Sequence, residues 1–321
     1  MKSYDAVALG ELLIDFTDNG VSGQGNPLME ANPGGAPCNV LAMLSRLGHK
    51  TAFVGKVGKD GFGKQLRNAL CEAGIDTVGL VEDEHVHTTL AFVHTGRDGD
   101  RQFSFYRNPG ADMMLEEEDL REDVIRDCRI FHFGTLSMTH ESCRKATKKA
   151  VEMAEEAGAL LSFDPNLRES LWDSLEDARQ QVEYGLKHCR ILKISDNEIQ
   201  WFTGMEDFDE GARFIQETYG IPLILLSLGR DGSRAYTAAH QVEVPAFIQE
   251  KTIETTGAGD TFGGCILHYV LSHGWHEYTR EQLKEMLLFA NAAASIITTR
   301  KGALRVMPDR AEIEGIYIKT Y

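Results

Sequence analysis

Residues 253–264 place an aspartate directly after a loop of small residues: Ile253-Glu254-Thr255-Thr256-Gly257-Ala258-Gly259-Asp260-Thr261-Phe262-Gly263-Gly264. An apolar helix pattern begins at once after this loop. Glycines let backbone N–H groups approach an anion closely, and the start of a helix adds positive potential. Beside a bound phosphate, Asp260 could take a proton from an attacking hydroxyl. The segment therefore predicts phosphoryl transfer to a small molecule.

The same loop has other interpretations. Glycine-rich turns with an aspartate as N-cap are common at helix starts. The loop is not a P-loop, because the chain contains no G-x-x-x-x-G-K-[ST]. In the order Gly257, Gly259, Gly263 the last glycine comes one residue too late for the dinucleotide fingerprint, which usually opens the first βαβ unit of a chain. An NAD-dependent Rossmann oxidoreductase stays open as the alternative from another class.

A second glycine site lies early in the chain, in the order Asn32-Pro33-Gly34-Gly35-Ala36-Pro37-Cys38-Asn39. It precedes a helix pattern with one apolar face, which ends at Gly48. The glycines let backbone approach a ligand, and Asn39 in the first turn can form a hydrogen bond to a hydroxyl. Alone the site is an ordinary helix entry, but paired with the later loop it is far more specific.

Composition restricts the class of partner. The chain has 321 residues, 42% of them hydrophobic, and a formal net charge of −16. These values are typical of a folded enzyme, and they argue against nucleic acid or an anionic membrane as a partner. We expect a small-molecule substrate and a single domain over residues 1–321.

The chain starts almost directly with a strand pattern, without the features of a signal peptide and without an apolar run of membrane-spanning length. The cysteines are scattered with no C-x-x-C pair, which indicates structural thiols rather than a metal site. We therefore expect a cytoplasmic, reduced protein. The cysteines are Cys38, Cys71, Cys128, Cys143, Cys189 and Cys265.

Short apolar runs alternate with amphipathic stretches through most of the chain. Residues 131–134, 160–164, 191–195 and 223–227 are typical of buried strands, and residues 141–157, 174–188 and 209–219 of helices. This alternation predicts an α/β fold with a mostly parallel sheet between two layers of helices. Asp164, Ser195 and Ser227 close their strands, so we expect them at the carboxyl edge, where such sheets bind ligands.

Two segments interrupt the alternation. Residues 12–33 run from a strand into a loop rich in Gly, Asn and Pro. Residues 87–107 contain two alternating strands joined by a turn at Gly96-Arg97-Asp98-Gly99-Asp100. We interpret the two segments as a small β-sheet that forms a lid over the site; a surface hairpin without a closing role is the alternative.

Together these motifs resemble the ribokinase-like sugar kinases of the PfkB family. The resemblance spans nearly the whole chain. Besides the two glycine sites it includes the motifs at residues 10–16, 55–63, 163–168, 193–198, 290–294 and 301–303. It implies a three-layer αβα sandwich, with ATP and Mg²⁺ as the cosubstrate and the metal.

The resemblance also implies roles for individual residues. Asp260 would be the general base, with Gly257, Ala258 and Gly259 as an anion hole for the transferring phosphoryl group. The sugar site would comprise Asp15, Gly34, Gly35 and Asn39, with Asn166 and Arg168 near the phosphates or the substrate. Glu198 would help hold Mg²⁺ through water. The nucleotide would contact Lys193, Ser195, Ser227, Gly229, Gly232, Thr256, Gly257, Gly259 and Asn291.

Two positions depart from the family pattern. The family more often has Asp where Glu254 stands and Asn where Ser195 stands. Residues around the first position commonly help to hold a potassium ion that rigidifies the anion hole. Glu254 can still ligate a monovalent cation, but its extra methylene leaves activation by K⁺ open.

Within the family, the chain looks most like bacterial fructokinases, on residues 103–112, residues 131–137 and the Gly-Ala-Pro-Cys-Asn form of the first site. Phe103 and Phe105 share one strand face, with Arg107 beyond them. The rings could cover the sugar while Arg107 fixes its oxygens; packing within the lid or against a partner subunit is the alternative. The expected reaction is ATP plus D-fructose giving ADP and fructose 6-phosphate.

Other substrates and functions stay open. A 2-keto-3-deoxygluconate kinase would have to neutralise a carboxylate, for which Arg97, Arg107 and Arg168 are the candidates. Ribokinase is less favoured, because the first site lacks Gly-Gly-Lys, and nothing specific favours a nucleoside kinase. A non-catalytic sugar-binding protein would be expected to have lost Asp260. Family resemblance and the edges of the small sheet suggest a homodimer through the lid.

Overall fold

The computed structural model describes residues 2–95 and 101–317, with all their side chains except those of residues 94, 95, 101–103 and 317. The predicted turn at 96–100 lies outside the described residues. The strands are β1 (Tyr4–Leu9), β2 (Leu13–Val21), β3 (Pro27–Gly34), β4 (Thr51–Gly58), β5 (Ile75–Asp83), β6 (Leu90–Thr95), β7 (Arg101–Tyr106), β8 (Cys128–Gly134), β9 (Leu160–Asp164), β10 (Ile191–Ser195), β11 (Leu223–Ser227), β12 (Ser233–Tyr236) and β13 (Gln241–Val244).

Helices follow most strands of the larger sheet. They are α1 (Ala36–Arg46), α2 (Gly61–Glu72), α3 (Glu122–Ile125), α4 (Glu141–Glu156), α5 (Leu175–His188), α6 (Asp196–Thr203), α7 (Phe208–Tyr219), α8 (Ala258–His273), α9 (Arg280–Ile297) and α10 (Arg310–Tyr317). The helices predicted at 141–157, 174–188 and 209–219 are confirmed as α4, α5 and α7.

The larger sheet has nine strands within the described residues, in the order β13-β12-β11-β10-β9-β8-β1-β4-β5. Strand β12 is antiparallel to both its neighbours, and all the other pairs are parallel. Asp164 pairs with Gly134, and Ser195 pairs with Ser227, each at the end of its strand. The prediction that Asp164, Ser195 and Ser227 lie at the carboxyl edge is therefore confirmed.

Both faces of this sheet are buried. Along β1, Ala6 and Ala8 belong to a core with α1, α2, α8, α9 and α10, whereas Val7 and Leu9 belong to a second core with α3 to α7. Successive side chains of a strand point to opposite faces, so a continuously apolar strand supplies both cores. The result is the predicted three-layer αβα sandwich.

The smaller sheet has the order β3-β2-β6-β7 within the described residues. It contains both segments predicted to form a lid, but one prediction was wrong: residues 27–33 form a second strand rather than a loop. Strand β3 lies at the edge of the sheet, where Pro27 and Pro33 remove no hydrogen bond that a central strand would need. Gly25, with φ of +83°, lies in the turn between β2 and β3, and Gly20, with φ of +89°, lies near the end of β2, where the register with β3 shifts.

No helix in the described part of the chain is both long and apolar enough to cross a membrane.

Candidate active site

The loop before α8 and the first turn of that helix form one wall of a cavity of about 590 Å³. Gly257 is the N-cap of α8 and has φ of +74°, in the left-handed region that favours glycine. A Cβ at this position would lie 2.5 Å from the Cβ of Ala303. The loop thus depends on glycine for both its conformation and its packing. Ala258 N donates to the carbonyl oxygen of Thr255 at 3.2 Å, whereas the N–H groups of Gly259 and Asp260, also in the first turn of α8, have no partner within the helix and are available to an anion.

Asp260 lies in the first turn of α8 and lines the cavity. Helices α1 and α8 meet closely, since a Cβ on Gly264 would lie 2.7 Å from the Cβ of Met43. This close packing brings Asn39 Nδ2 to 2.8 Å from Asp260 Oδ2, to which it donates a hydrogen bond. Burial raises the pKa of Asp260, while the hydrogen bond from Asn39 and the charges of Lys193 and Arg168 moderate the rise.

The opposite end of the cavity is formed by the first glycine site and the smaller sheet. A Cβ on Gly34 would lie 2.1 Å from Asp15 Oδ2, so the glycine makes room for this carboxylate, although Gly34 itself does not line the cavity. Gly35 has φ of +128° and approaches the carbonyl oxygen of Glu11. Burial raises the pKa of Asp15 to about 7, with Arg168 opposing the rise.

Lys193 lies directly over the loop before α8 and the first residues of that helix, residues 255–259, which we call the anion loop. Its Nζ is 2.9 Å from Asp164 Oδ2, and it is 3.2 Å from where a Cβ on Gly259 would be. Burial alone would lower the pKa of Lys193, but the charges of Asp164 and Glu198 raise it to about 12. A fixed positive charge therefore stands within reach of any anion bound at the loop.

The structure shows a structural role for Glu198, beside which the contact with Mg²⁺ stays a prediction. Its carboxylate accepts hydrogen bonds from Ser195 N and Ser195 Oγ, both at 2.8 Å. The first of these, with the bond that Glu198 N donates to Ser195 Oγ, forms the capping box of α6. The carboxylate also accepts one from Leu167 N at 2.8 Å. Each carboxylate oxygen has two lone pairs, so this leaves room for a water ligand of a metal at the cavity wall.

The cavity brings together fifteen residues of the predicted site. They are Asp15, Gly35, Asn39, Phe105, Asn166, Arg168, Lys193, Ser195, Glu198, Ser227, Gly229, Thr256, Gly257, Gly259 and Asp260. Glu11, Leu13, Ala36, Leu136, Asp196, Asn197 and Thr255 also line it but were missed. The sequence offered one signal for Glu11, namely an acidic residue between two apolar segments. In the structure Glu11 is 4% exposed, so its carboxylate is buried.

Arg107 does not line the cavity, contrary to the expected contact with a sugar. Its guanidinium is buried and donates to Asp112, Thr139 and the carbonyl oxygen of Leu136. Strand β7 ends at Tyr106, so the strand alternation on which the prediction relied stops before Arg107. The backbone of Phe103 lies in β7, but its side chain is outside the described part of the structure.

Asn291 and Gly232 do not line the cavity either, and both have structural roles. Asn291 Nδ2 donates to the carbonyl oxygens of Val244 and Pro245, which ties α9 to the end of β13. Gly232 has φ of +107° in the turn between β11 and β12, where a Cβ would lie 2.1 Å from the carbonyl oxygen of Val244.

Ala258 and Glu254 flank the cavity without lining it. Ala258 is the first residue of α8. Glu254 Oε1 accepts a hydrogen bond from Gly302 N at 2.7 Å, which ties the anion loop to the segment that contains Ala303.

The buried carboxyl groups predict a pH-dependent stability. The pKa of Asp15 is raised from 3.8 to about 7, so the folded state holds its proton more tightly than the unfolded state does. The contribution of Asp15 to the free energy of unfolding is therefore most favourable at low pH, where the carboxyl group is protonated, and it is lost as the pH rises towards 7. We expect Asp15→Asn to unfold at a higher temperature than the wild type. The difference should grow from pH 5 to pH 7 and then level off at roughly a few degrees.

Thermal unfolding of the ligand-free protein, followed by circular dichroism across this pH range, measures the difference. Asp173→Asn, which neutralises an exposed aspartate, should follow the wild type. A difference between Asp15→Asn and wild type that stays constant from pH 5 to pH 8 would contradict the assigned pKa.

The fold and the site define a phosphotransferase of the ribokinase-like class. The structure is similar to the fructokinase of Xylella fastidiosa with bound ATP, with a TM-score of 0.89 and 29% identity over 99% of both chains. It is also similar to the fructokinase of Vibrio cholerae O395 with fructose, ADP and calcium ion bound, with a TM-score of 0.87 and 29% identity over 98% of this chain and 99% of that one.

The profile of the pfkB family carbohydrate kinases matches residues 4–310. The chain is 43% identical to the probable fructokinase-2 of Arabidopsis thaliana, over 95% of this chain and 93% of that protein. It is 42% identical to fructokinase-1 of Zea mays, over 96% and 95%. The chain belongs to the pfkB family of carbohydrate kinases, and it is a sugar kinase rather than an oxidoreductase.

Proposed function

We propose that this protein transfers the γ-phosphoryl group of ATP to D-fructose, giving fructose 6-phosphate and ADP. The observation that carries the proposal is Asp260, held by Asn39 at the start of α8 inside the cavity. Fructose as the acceptor is supported by the full-length similarity to the plant fructokinases. It is also supported by the bacterial fructokinase with fructose and ADP bound, which has the same fold.

Asp260 takes the proton from the primary hydroxyl of fructose as that oxygen attacks the γ-phosphorus. A base with a raised pKa accepts this proton more readily than an ordinary carboxylate does. The amides of Gly257, Ala258 and Gly259 receive the negative charge that develops on the phosphoryl oxygens, and for this Ala258 N must share or release its hydrogen bond to the carbonyl oxygen of Thr255. Lys193, fixed by Asp164, adds a positive charge on the same side.

The sugar lies between the first glycine site and the smaller sheet. Asp15 accepts hydrogen bonds from its hydroxyl groups. The buried Oδ1 of Asn39 accepts no hydrogen bond from the described residues, and this supports a hydroxyl partner. Phe105 covers the sugar from β7, and the two segments of the smaller sheet serve as a lid that excludes water. Arg168 lies at the junction between the sugar and the phosphates.

ATP occupies the end of the cavity formed by the carboxyl ends of β10 and β11, against Ser195, Ser227 and Gly229. Among the described residues no cluster of three His, Cys, Asp or Glu side chains could hold a metal alone. This agrees with Mg²⁺ bound mainly through phosphates and water, with Glu198 as the protein contact. When bound, the ion neutralises phosphate charge and orients the β- and γ-phosphates.

Glu254 is proposed to hold a monovalent cation, K⁺ by family resemblance, behind the anion loop. Its carboxylate is next to the turn at Gly302, and a cation there would stiffen the loop at Gly257. Turnover in KCl should then exceed turnover in NaCl at equal ionic strength. Equal rates in the two salts would remove the proposal.

We also propose that the chain is one domain and forms a homodimer through the smaller sheet. The support is family resemblance and the exposed apolar side chains of Val21, Leu28 and Tyr106 on that sheet. Size-exclusion chromatography with light scattering tests it at micromolar protein. The free cysteines, five of them buried, agree with a cytoplasmic enzyme.

A 2-keto-3-deoxygluconate kinase is the nearest alternative within the family. Such an enzyme needs a free cation for the substrate carboxylate. Of the described cations that line the cavity, Lys193 is already paired with Asp164, and Arg168 is the other. Arg107 is used elsewhere. Arg168 is therefore the described cation in the cavity that could meet a substrate carboxylate, and we propose that it lies between the sugar and the phosphates; Arg97 lies outside the described residues. The preference for a neutral sugar over a sugar acid rests on the similarity to the fructokinases.

Release of ADP from Mg-ATP tests the proposal against a panel of D-fructose, 2-keto-3-deoxygluconate, D-ribose and adenosine. We expect fructose to give a kcat/KM at least about 100-fold above the others, because a built polar site discriminates strongly against missing groups. Turnover of another panel member would keep the kinase chemistry and overturn the choice of sugar. Silence with all four, with ATP still bound, would point to an untested sugar or to a regulatory, non-catalytic role.

A further inference from the structure

A buried polar cluster holds the base of the hairpin formed by β6 and β7. We define this root cluster as Thr89, Arg107, Gly110 and Asp112. Thr89 immediately precedes β6, Arg107 immediately follows β7, and the two strands pair up to Leu90 and Tyr106. The Asp112 carboxylate accepts from Thr89 Oγ1 through one oxygen. Its other oxygen accepts a hydrogen bond from Arg107 Nε at 2.8 Å and forms an ion pair with an Arg107 terminal nitrogen at 2.7 Å.

The cluster is built tightly and excludes solvent. The side chains of Arg107 and Asp112 are each 2% exposed. A Cβ on Gly110 would lie 1.8 Å from Thr89 Oγ1 and 2.9 Å from Asp112 Oδ1, so only glycine lets the chain pass here. A buried ion pair stabilises a fold less than apolar packing of the same volume does. Its strict geometry is better suited to holding the chain segments that carry it in one relative position.

The root cluster is joined to the walls of the cavity in three directions. Arg107 donates to the carbonyl oxygen of Leu136 at 3.0 Å, and Leu136 lines the cavity. The carbonyl oxygen of Thr89 accepts from Ile14 N at 3.2 Å, one residue before Asp15. Phe105, which also lines the cavity, stands two residues before Arg107. The cluster itself contributes no side chain to the cavity.

We infer that Asp112, with Arg107 and Thr89, is a positioning site that fixes the root of the β6–β7 hairpin and thereby sets Phe105 and Asp15 against the sugar. This inference deepens the proposed function and rests on it for the identity of the sugar. Arg107 and Asp112 act through other residues, so they are positioning residues and not catalytic ones. The cluster makes sugar affinity depend on a side chain, Asp112, that never touches the sugar.

Steady-state kinetics of Asp112→Asn test the inference. The neutral amide cannot hold both the guanidinium and the hydroxyl as the carboxylate does, so the hairpin root loosens. We expect KM for fructose to rise by roughly 10- to 100-fold, as for a small misplacement of a binding group. The kcat and the affinity for an ATP analogue should change by less than about threefold, because the anion loop and Asp260 stand on α8.

A double-mutant cycle with Phe105→Ala separates positioning from a general structural effect. Because Asp112 is inferred to act through both Phe105 and Asp15, the double variant should raise KM by clearly less than the product of the two separate effects. Additive effects of the two changes, or an equal loss of ATP affinity, would overturn the inference. Should Asp112→Asn fail to fold, Thr89→Val removes a single hydrogen bond and should show the same pattern at a few-fold scale. Thr237→Val is the matched control, because it makes the same substitution at a threonine between β12 and β13 that also donates a hydrogen bond. It should leave KM for fructose unchanged.

Amide hydrogen exchange without substrate distinguishes failure of this inference from failure of the proposed function. Asp112→Asn and Thr89→Val should speed exchange in β6 and β7 by at least about tenfold and leave β9 to β11 unchanged. Unchanged exchange in β6 and β7 would overturn the inferred role of the root cluster, whichever sugar the enzyme uses. Faster exchange in β6 and β7 of the two variants, together with a wild type that does not phosphorylate fructose, would keep the role of the root cluster and reject the sugar.

Discussion

Asp260→Asn is expected to lower kcat by about a thousandfold or more and to leave the fold intact. The amide is nearly isosteric with the carboxylate and can still accept the hydrogen bond from Asn39, but it cannot accept the proton of the attacking hydroxyl. General-base catalysis by a positioned side chain contributes typically 10²–10⁴-fold, so the loss should be near the upper part of that range. The kcat measured by ADP release at saturating fructose and ATP gives the result.

Two further measurements make this prediction specific. Burial raises the pKa of Asp260, so the folded protein carries an unfavourable charge that the amide removes. Asp260→Asn should therefore unfold at the same temperature as the wild type or a higher one. Loss of a negative charge beside the phosphates should keep the affinity for an ATP analogue or tighten it.

Asp173→Asn provides the matched control, because it makes the same chemical change at an exposed aspartate. It should retain wild-type kcat. More than about a tenth of wild-type kcat in Asp260→Asn would reject Asp260 as the base on the scale of general-base effects. Mass spectrometry must first exclude deamidation of the variant back to aspartate.

Those parts of the site that depend on strand ends could be predicted from the sequence. Asp164, Ser195 and Ser227 each close an apolar run, and in a parallel sheet such ends meet at one edge. The position of Asp260 could be predicted equally well, because it follows from a local loop and the helix start beside it. In these cases a local pattern determines where the side chain points.

Contacts between distant segments could not be predicted in this way. Arg107 continues an alternating pattern towards the cavity, but Asp112 in the 3-10 helix that follows, Ala111–Met114, binds it instead. Nothing in the spacing of the two residues distinguishes a sugar contact from an ion pair. Asn291 is similar: a polar residue in an apolar helix can face a ligand or, as here, the end of a strand. The strand β3 was missed because its prolines are tolerated only at a sheet edge, and edges are a property of the folded sheet.

Gly257→Ala is expected to disrupt the anion loop and to have the largest effect on kcat after Asp260→Asn. An alanine at φ of +74° is strained by about 1–2 kcal/mol. Its Cβ would also lie 2.5 Å from the Cβ of Ala303, so either the loop or the segment at 303 must move. Displacing one donor of an anion hole costs about 10²–10³ in kcat, and we expect a fall of that size with a lower unfolding temperature.

Gly263→Ala is the matched control on the same helix, one turn beyond Asp260. The nearest atom to a Cβ there is Val40 Cγ2 at 3.9 Å, an ordinary contact. Alanine in a helix interior is favoured over glycine by about 0.5–1 kcal/mol, so this variant should keep wild-type kcat and unfold at a slightly higher temperature. Adding Ala303→Gly to Gly257→Ala removes the clash and leaves the backbone strain, so we expect partial recovery of kcat. Wild-type kcat in Gly257→Ala itself would mean that the phosphoryl group does not depend on the geometry of this loop.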